Sequence, residues 1–184
     1  MDSRLVDTAL GRLRIRTRGS GQAGAEAIAF WPSLLMTGDM WAAQADHFGT
    51  DRHVILIDPP GHGGSERPTG PLPFAECAQC VVDVLDALDV PKTHFVGNSW
   101  GGMIGATFAA HHPDRIDRAV LMNCTASAAA QRQKLEYGLL LRMATLFGGI
   151  RPPLTRSVLK AFLGPTTFDT RPHVGRFVRA TVES

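Results

Sequence analysis

His94-Phe95-Val96-Gly97-Asn98-Ser99-Trp100-Gly101-Gly102 is the stretch whose reading decides how this chain folds. It opens on an apolar strand, 93–96, and closes into a helix rich in alanine and glycine, 101–111. Between them stands a Gly-x-Ser-x-Gly turn with Ser99 at its apex, in the strand–turn–helix setting that such a serine requires. A serine on so tight a turn takes a strained backbone conformation and lifts its Oγ above the sheet. Residues two before and two after it crowd the neighbouring backbone, which is why both are glycine. Gly102 and Gly105 let the helix lie close to the adjacent strands. The helix N-terminus turns its free N–H groups and positive dipole end toward Ser99, an arrangement that favours a developing oxyanion. The plainer alternative is a serine that only caps the helix.

Outward from this turn the pattern is regular. Residues 4–9 and 12–18 alternate apolar and polar about Gly11, which predicts a β-hairpin ended by Gly19-Ser20-Gly21. The apolar run 27–31 (AIAFW) leads into Pro32 as a buried strand entering a loop. A helix is expected over 39–48, with Met40, Trp41, Ala45 and Phe48 on one side. The run 54–57 (VILI) predicts a parallel strand covered on both faces. Asp58-Pro59-Pro60-Gly61-His62-Gly63-Gly64-Ser65 is a loop. A helix is expected over 74–88, with Phe74, Cys77, Val81, Leu85 and Leu88 spaced at three and four. A further strand follows at 119–122. This alternation predicts an α/β fold: a doubly wound, mostly parallel sheet with right-handed crossovers, built from an N-terminal hairpin plus four parallel strands. In such sheets, active groups gather at the carboxyl edge of the strands.

After Asn123 the character changes. Residues 128–147, 153–163 and 172–182 read as helices, separated by Gly148-Gly149 and Gly164-Pro165. The expected division is a core at 1–123 followed by a partial helical lid at 124–184. Leu139, Leu140, Met143, Leu146 and Phe147 make an apolar stripe in that lid, suited to a pocket wall or, more commonly, to a packed core.

Composition narrows the function. A formal net charge of +2 gives no reason to expect nucleic acid as a partner. No apolar run is long enough to span a bilayer, and the start Met1-Asp2-Ser3-Arg4 shows no secretory signal. Three cysteines, an odd count, then suit a reducing, cytoplasmic compartment. Cys77 and Cys80 form a CxxC inside a helical pattern with no second ligand pair, so they read as small core residues rather than a metal or redox site. No metal and no cofactor are expected, and the partner is a small-molecule substrate.

Three segments carry a family resemblance: Phe30-Trp31-Pro32-Ser33 followed by Asp39-Met40-Trp41; the loop 58–65, similar to D-x-x-G-x-G-x-S; and the turn at Ser99, with Pro113-Asp114-Arg115-Ile116 after its helix. On these the chain resembles the α/β-hydrolase superfamily, specifically its lid-bearing esterase, lactonase and C–C hydrolase-like members, over residues 5 to 125. The resemblance implies that Ser99 is the nucleophile and that two N–H groups form an oxyanion hole. The second donor should be Trp100 N–H. The first should come from the loop after Trp31, where the family usually has His-Gly. Pro32 has no N–H, so Ser33 is assigned, with Leu34 as the alternative. Asp58 and His62 are expected to organise their loop. His62 precedes Ser99, whereas the triad order on this fold is serine, acid, histidine.

A serine hydroxyl needs a base, and the resemblance puts the acid and histidine on loops after two later strands, beyond Ser184. Asn123 ends the next strand but lacks the charge that stabilises an imidazolium. Asp117, His111 and His112 belong to the opposite edge of the sheet. Asp169 and His173 are a non-standard lid pair more simply read as helix-start and surface residues. The leading expectation is a serine hydrolase of esters, lactones or related carbonyl compounds acting through a Ser99 acyl-enzyme, present as a truncated chain. The alternatives are a cofactor-free perhydrolase or C–C hydrolase on the same fold, or a non-catalytic binding protein.

Overall fold

Every residue of Ala27–Trp31 is buried, as are four of the five in His53–Ile57. Strands of that kind are covered on both faces. The computed structural model describes residues 1–19 and 26–127, scattered positions from 131 to 159, and the helix Pro172–Glu183. Its strands are β1 (Asp2–Thr8), β2 (Gly11–Arg18), β3 (Ala27–Trp31), β4 (His53–Ile57), β5 (Thr93–Asn98) and β6 (Ile116–Met122). They form one six-stranded sheet in the order β1-β2-β4-β3-β5-β6. The β1–β2 hairpin joins β4 antiparallel, and β4, β3, β5 and β6 run parallel.

The chain crosses from β3 to β4 on one side of the sheet's centre, and β5 then returns on the other side of β3. The winding therefore reverses between β3 and β5. In open sheets the crevice beyond the carboxyl ends at such a reversal is where ligands bind. Trp31 ends β3 and Asn98 ends β5, so the segments that follow each of them flank this crevice.

Alternation along the central strands builds two cores. β3 sends Ala27, Ala29 and Trp31 to one face, with Ile55 and Ile57 of β4 beside them. That face packs beneath α2 (Phe74–Ala87) and α3 (Trp100–His111) through Cys77, Val81, Leu85, Ile104 and Phe108. Ile28, Phe30, Val54 and Leu56 point the other way, onto Trp41 and Ala45 of the 3-10 turn Gly38–Trp41 and α1 (Ala42–Phe48). The helix expected over 39–48 thus starts as a tighter turn, with Thr37 Oγ1 accepting from Asp39 N–H at 3.4 Å.

Two expectations need correction. Phe74 does not join the buried stripe of α2 but stays 43% exposed, because the first turn stands ahead of the packed layer, which closes from Cys77 onward. The strand expected at 119–122 begins at Ile116, and its Val120 and Leu121 are exposed at the edge of the sheet.

The chain divides into two compact units, Met1–Ala126 and Ser127–Ser184. In the second, the described positions from 131 to 146 are helical, as is Pro172–Glu183. Leu139 and Leu146 of the apolar stripe are exposed. Leu140 and Phe147, the Gly148-Gly149 and Gly164-Pro165 breaks and most of the helix expected over 153–163 lie outside the described residues.

Candidate active site

Ser99 stands alone between the last residue of β5 and the first of α3, at φ 55° and ψ −115°. A side chain holding that left-handed conformation costs on the order of 1–3 kcal/mol. The surroundings impose it. Ser99 N–H donates to Met122 O at the end of β6 (2.8 Å), and Ser99 O accepts from Met103 N–H in the first turn of α3 (3.1 Å). The hydroxyl makes no capping bond to the helix, so a mere cap does not describe this serine. The steric account of the flanking glycines also holds. A Cβ on Gly97 would lie 2.2 Å from Gly101 O, and one on Gly101 would lie 2.4 Å from Trp31 O and 2.7 Å from Pro32 O. The start of α3 is therefore pressed directly against the backbone leaving β3.

That contact brings the loop after Trp31 beside Ser99. Ser33 is buried, and its carbonyl accepts from Met36 N–H at 3.1 Å to close a tight turn. Leu35 within it has φ 65°, and its N–H donates to His62 Nε2 at 3.1 Å. His62 Nδ1 lies 2.9 Å from Pro60 O. Since Nε2 accepts, Nδ1 carries the proton and donates. Both ring nitrogens are engaged, so His62 ties two loops together and has no free nitrogen for a serine proton. Its ring packs at a tilt against Trp100 with centroids 6.0 Å apart, and Trp100 meets Trp31 edge to face at 5.8 Å. Trp100 is the first residue of α3, where helix geometry provides no intrahelical acceptor for its N–H, and Ser33 and Leu34 stand in the turn beside it. Their N–H groups are the donors expected to face a developing negative charge.

Asp58 is fully buried and holds the third loop. Its Oδ2 accepts from Arg14 Nε (2.7 Å) and Gly64 N–H (3.1 Å), and its Oδ1 from Arg16 (3.0 Å) and Gly38 N–H (2.9 Å). Ser65 Oγ donates back to Asp58 O at 2.7 Å. One carboxylate thus joins β2, the 3-10 turn and the loop 58–65.

A family model described as the alpha/beta hydrolase fold matches residues 26–172. The chain belongs to the α/β-hydrolase family. Among its relatives, 3-oxoadipate enol-lactonase 2 of Acinetobacter baylyi is 36% identical over 106 residues, which are 58% of this chain and 40% of that protein. A solved hydrolase from Pseudomonas aeruginosa superposes with a TM-score of 0.88 at 29% identity, covering 100% of this chain and 67% of the other. The enol-lactonase of Burkholderia xenovorans gives 0.83 at 25% identity, covering 98% and 67%. The chain spans about two-fifths of the length of the curated relatives it matches.

The remaining polar residues sort by position. His111 and His112 end α3, about 18 Å of helix away from Ser99. Asp117 is the second residue of β6 and lies 3.7 Å from His94 Nδ1. Asp169 lies outside the described residues, and His173 belongs to the helix Pro172–Glu183 of the second unit. Cys77 and Cys80 are buried in α2, and burial pushes the Cys77 thiol up to about 12, which keeps it protonated and unreactive. Among the described residues no helix is long and apolar enough to cross a membrane, and no cluster of side chains could hold a metal ion.

Sequence reasoning missed four contributors. Arg14 and Arg16 read only as the polar half of an alternating strand. Leu35 gave no signal of a left-handed turn. Asn98 looked like a free position in Gly-x-Ser-x-Gly, yet its Nδ2 donates to Ser33 Oγ at 2.7 Å, while its Oδ1 accepts from Asn123 Nδ2 at 2.8 Å.

Proposed function

We propose that this hydrolase cleaves esters, lactones or related carbonyl compounds through an acyl-enzyme on Ser99. The observation that carries the reading is the strained, uncapped serine at the carboxyl edge of the sheet, where the winding reverses. Ser99 Oγ attacks the substrate carbonyl carbon while its proton passes to the histidine base that this fold supplies, and from there to the departing alcohol, and the carbonyl oxygen becomes an oxyanion. The N–H of Trp100 and that of Ser33, or of Leu34, donate to it. The tetrahedral intermediate collapses by expelling the alcohol, and water then releases the acid. Each such donor contributes about 2.7–4 kcal/mol to the transition state.

On this fold the acid and the histidine follow the serine in the chain. The proposal assigns neither within the described residues and puts both in sequence beyond Ser184, with residues 124–184 as part of a lid. The lactonase and hydrolase relatives support a small carbonyl substrate. A cytoplasmic setting fits the same reading.

The test is labelling of the natural protein with a fluorophosphonate probe. Wild type should label and Ser99→Ala should not, with both folded by circular dichroism. A folded wild type that resists the probe would make the site a binding pocket instead.

A further inference from the structure

We propose that Asn98 is a positioning residue for the oxyanion hole, clamping the Ser33 turn to the Ser99 turn under the orientation set by Asn123. The inference rests on the Ser99 reading and deepens it. Ser33 is buried, and its hydroxyl oxygen accepts from Asn98 Nδ2 at 2.7 Å across 65 positions of sequence. Asn98 immediately precedes Ser99, so any rigid shift of one is transmitted to the other. The bond therefore links the residue before the attacking atom to the residue whose N–H is to receive the oxyanion.

The two side-chain amides and the Ser33 hydroxyl form a continuous chain of hydrogen bonds. Asn123 Nδ2 donates to Asn98 Oδ1, which leaves the Asn98 amide nitrogen turned toward Ser33. Asn123 is itself held at φ 50°, directly after Met122, whose carbonyl receives Ser99 N–H. The ends of β3, β5 and β6 are thus tied by side-chain amides above the last backbone ladder bonds.

The Ser33 turn needs this tie because its other anchors lie elsewhere. Pro32 contributes no N–H. His62 holds the turn at Leu35, two residues further on. Without Asn98, the Ser33 N–H can drift relative to Ser99 while the turn itself persists. A misplacement near 1 Å in a reacting geometry can cost about 100-fold in rate.

The test is ester hydrolysis by the natural protein and by Asn98→Ala, Ser33→Ala and the double variant, with thermal unfolding recorded for each. Ser33→Ala keeps its N–H and loses one oxygen atom, so it carries the test should Asn98→Ala fail to fold. Each single variant is expected to lose about 10–100-fold in kcat with KM within about threefold, since the tie acts on the transition state rather than on substrate binding. The double variant should be no slower than the slower single, because both remove the same bond. Singles within twofold of wild type, losses confined to KM, or losses that multiply in the double variant would overturn the proposal. Fluorophosphonate labelling separates the two levels. If wild type labels at Ser99 and the variants label equally fast, the tie is refuted and the nucleophile stands. If wild type does not label, both fall together.

Discussion

Asp58→Ala is expected to lower folding stability by about 3–5 kcal/mol, the cost of stripping a buried ion pair of one partner. For a chain of this size that corresponds to about 6–20 °C in Tm. The carboxylate is fully buried, while Arg16 is 12% exposed and Arg14 32% exposed at the side chain. Removing Asp58 leaves two guanidinium groups facing each other and two backbone donors, Gly38 and Gly64 N–H, without an acceptor. Arg16 retains Asp39, but Arg14 has no other acidic partner among the described residues. Asp58→Asn, which keeps the shape and one oxygen, should lose less. The exposed pair Arg12–Glu66 provides the contrast, because both side chains are about half exposed and solvent screens such a pair, so it adds little to stability. Chemical denaturation of Asp58→Ala and Glu66→Ala side by side checks the ranking. Equal losses, or an Asp58→Ala loss below about 1 kcal/mol, would show that this carboxylate does not hold the loops together.

Gly101→Ala is expected to cost more than about 4 kcal/mol, in the range reserved for a few severe mechanisms. The added methyl would sit 2.4 Å from Trp31 O and 2.7 Å from Pro32 O. Both obstacles are backbone, and Trp31 is locked between β4 and β5 through its strand, so neither can swing aside as a long side chain would. Relief requires α3 to move off β3, which separates Trp100 N–H from the Ser33 turn. The variant should therefore lose both stability and fluorophosphonate labelling. Gly70→Ala is the control. Nothing lies within 4 Å of its added methyl, so it should stay within about 0.5 kcal/mol of wild type. Denaturant midpoints for the two variants decide the matter; a Gly101→Ala protein as stable as Gly70→Ala would mean that the close approach of helix and strand is not required.

The parts of this molecule that were legible in the sequence are those where sterics act on neighbours in the chain. Glycines at 97 and 101 record a backbone collision, and the runs AIAFW and VILI record burial on two faces. Both leave a local print. The bond from Asn98 to Ser33 leaves none, because two polar residues 65 positions apart look the same whether or not they meet. The arginines of β2 show the same limit: their period of two announces a strand face, not the buried Asp58 at its end. Phe74 illustrates the converse, a correct helical period that cannot say where the neighbouring layer stops.

The dihedral pair at position 99 has a consequence for anyone breeding sturdier variants. Glycine adopts that conformation freely, whereas serine is forced into it. If Ser99 is the nucleophile proposed above, a library sorted for heat resistance alone would drift toward glycine there and hand back an inert protein. On that proposal robustness and reactivity pull in opposite directions at this single backbone bend, so any directed evolution of this chain must screen for both at once.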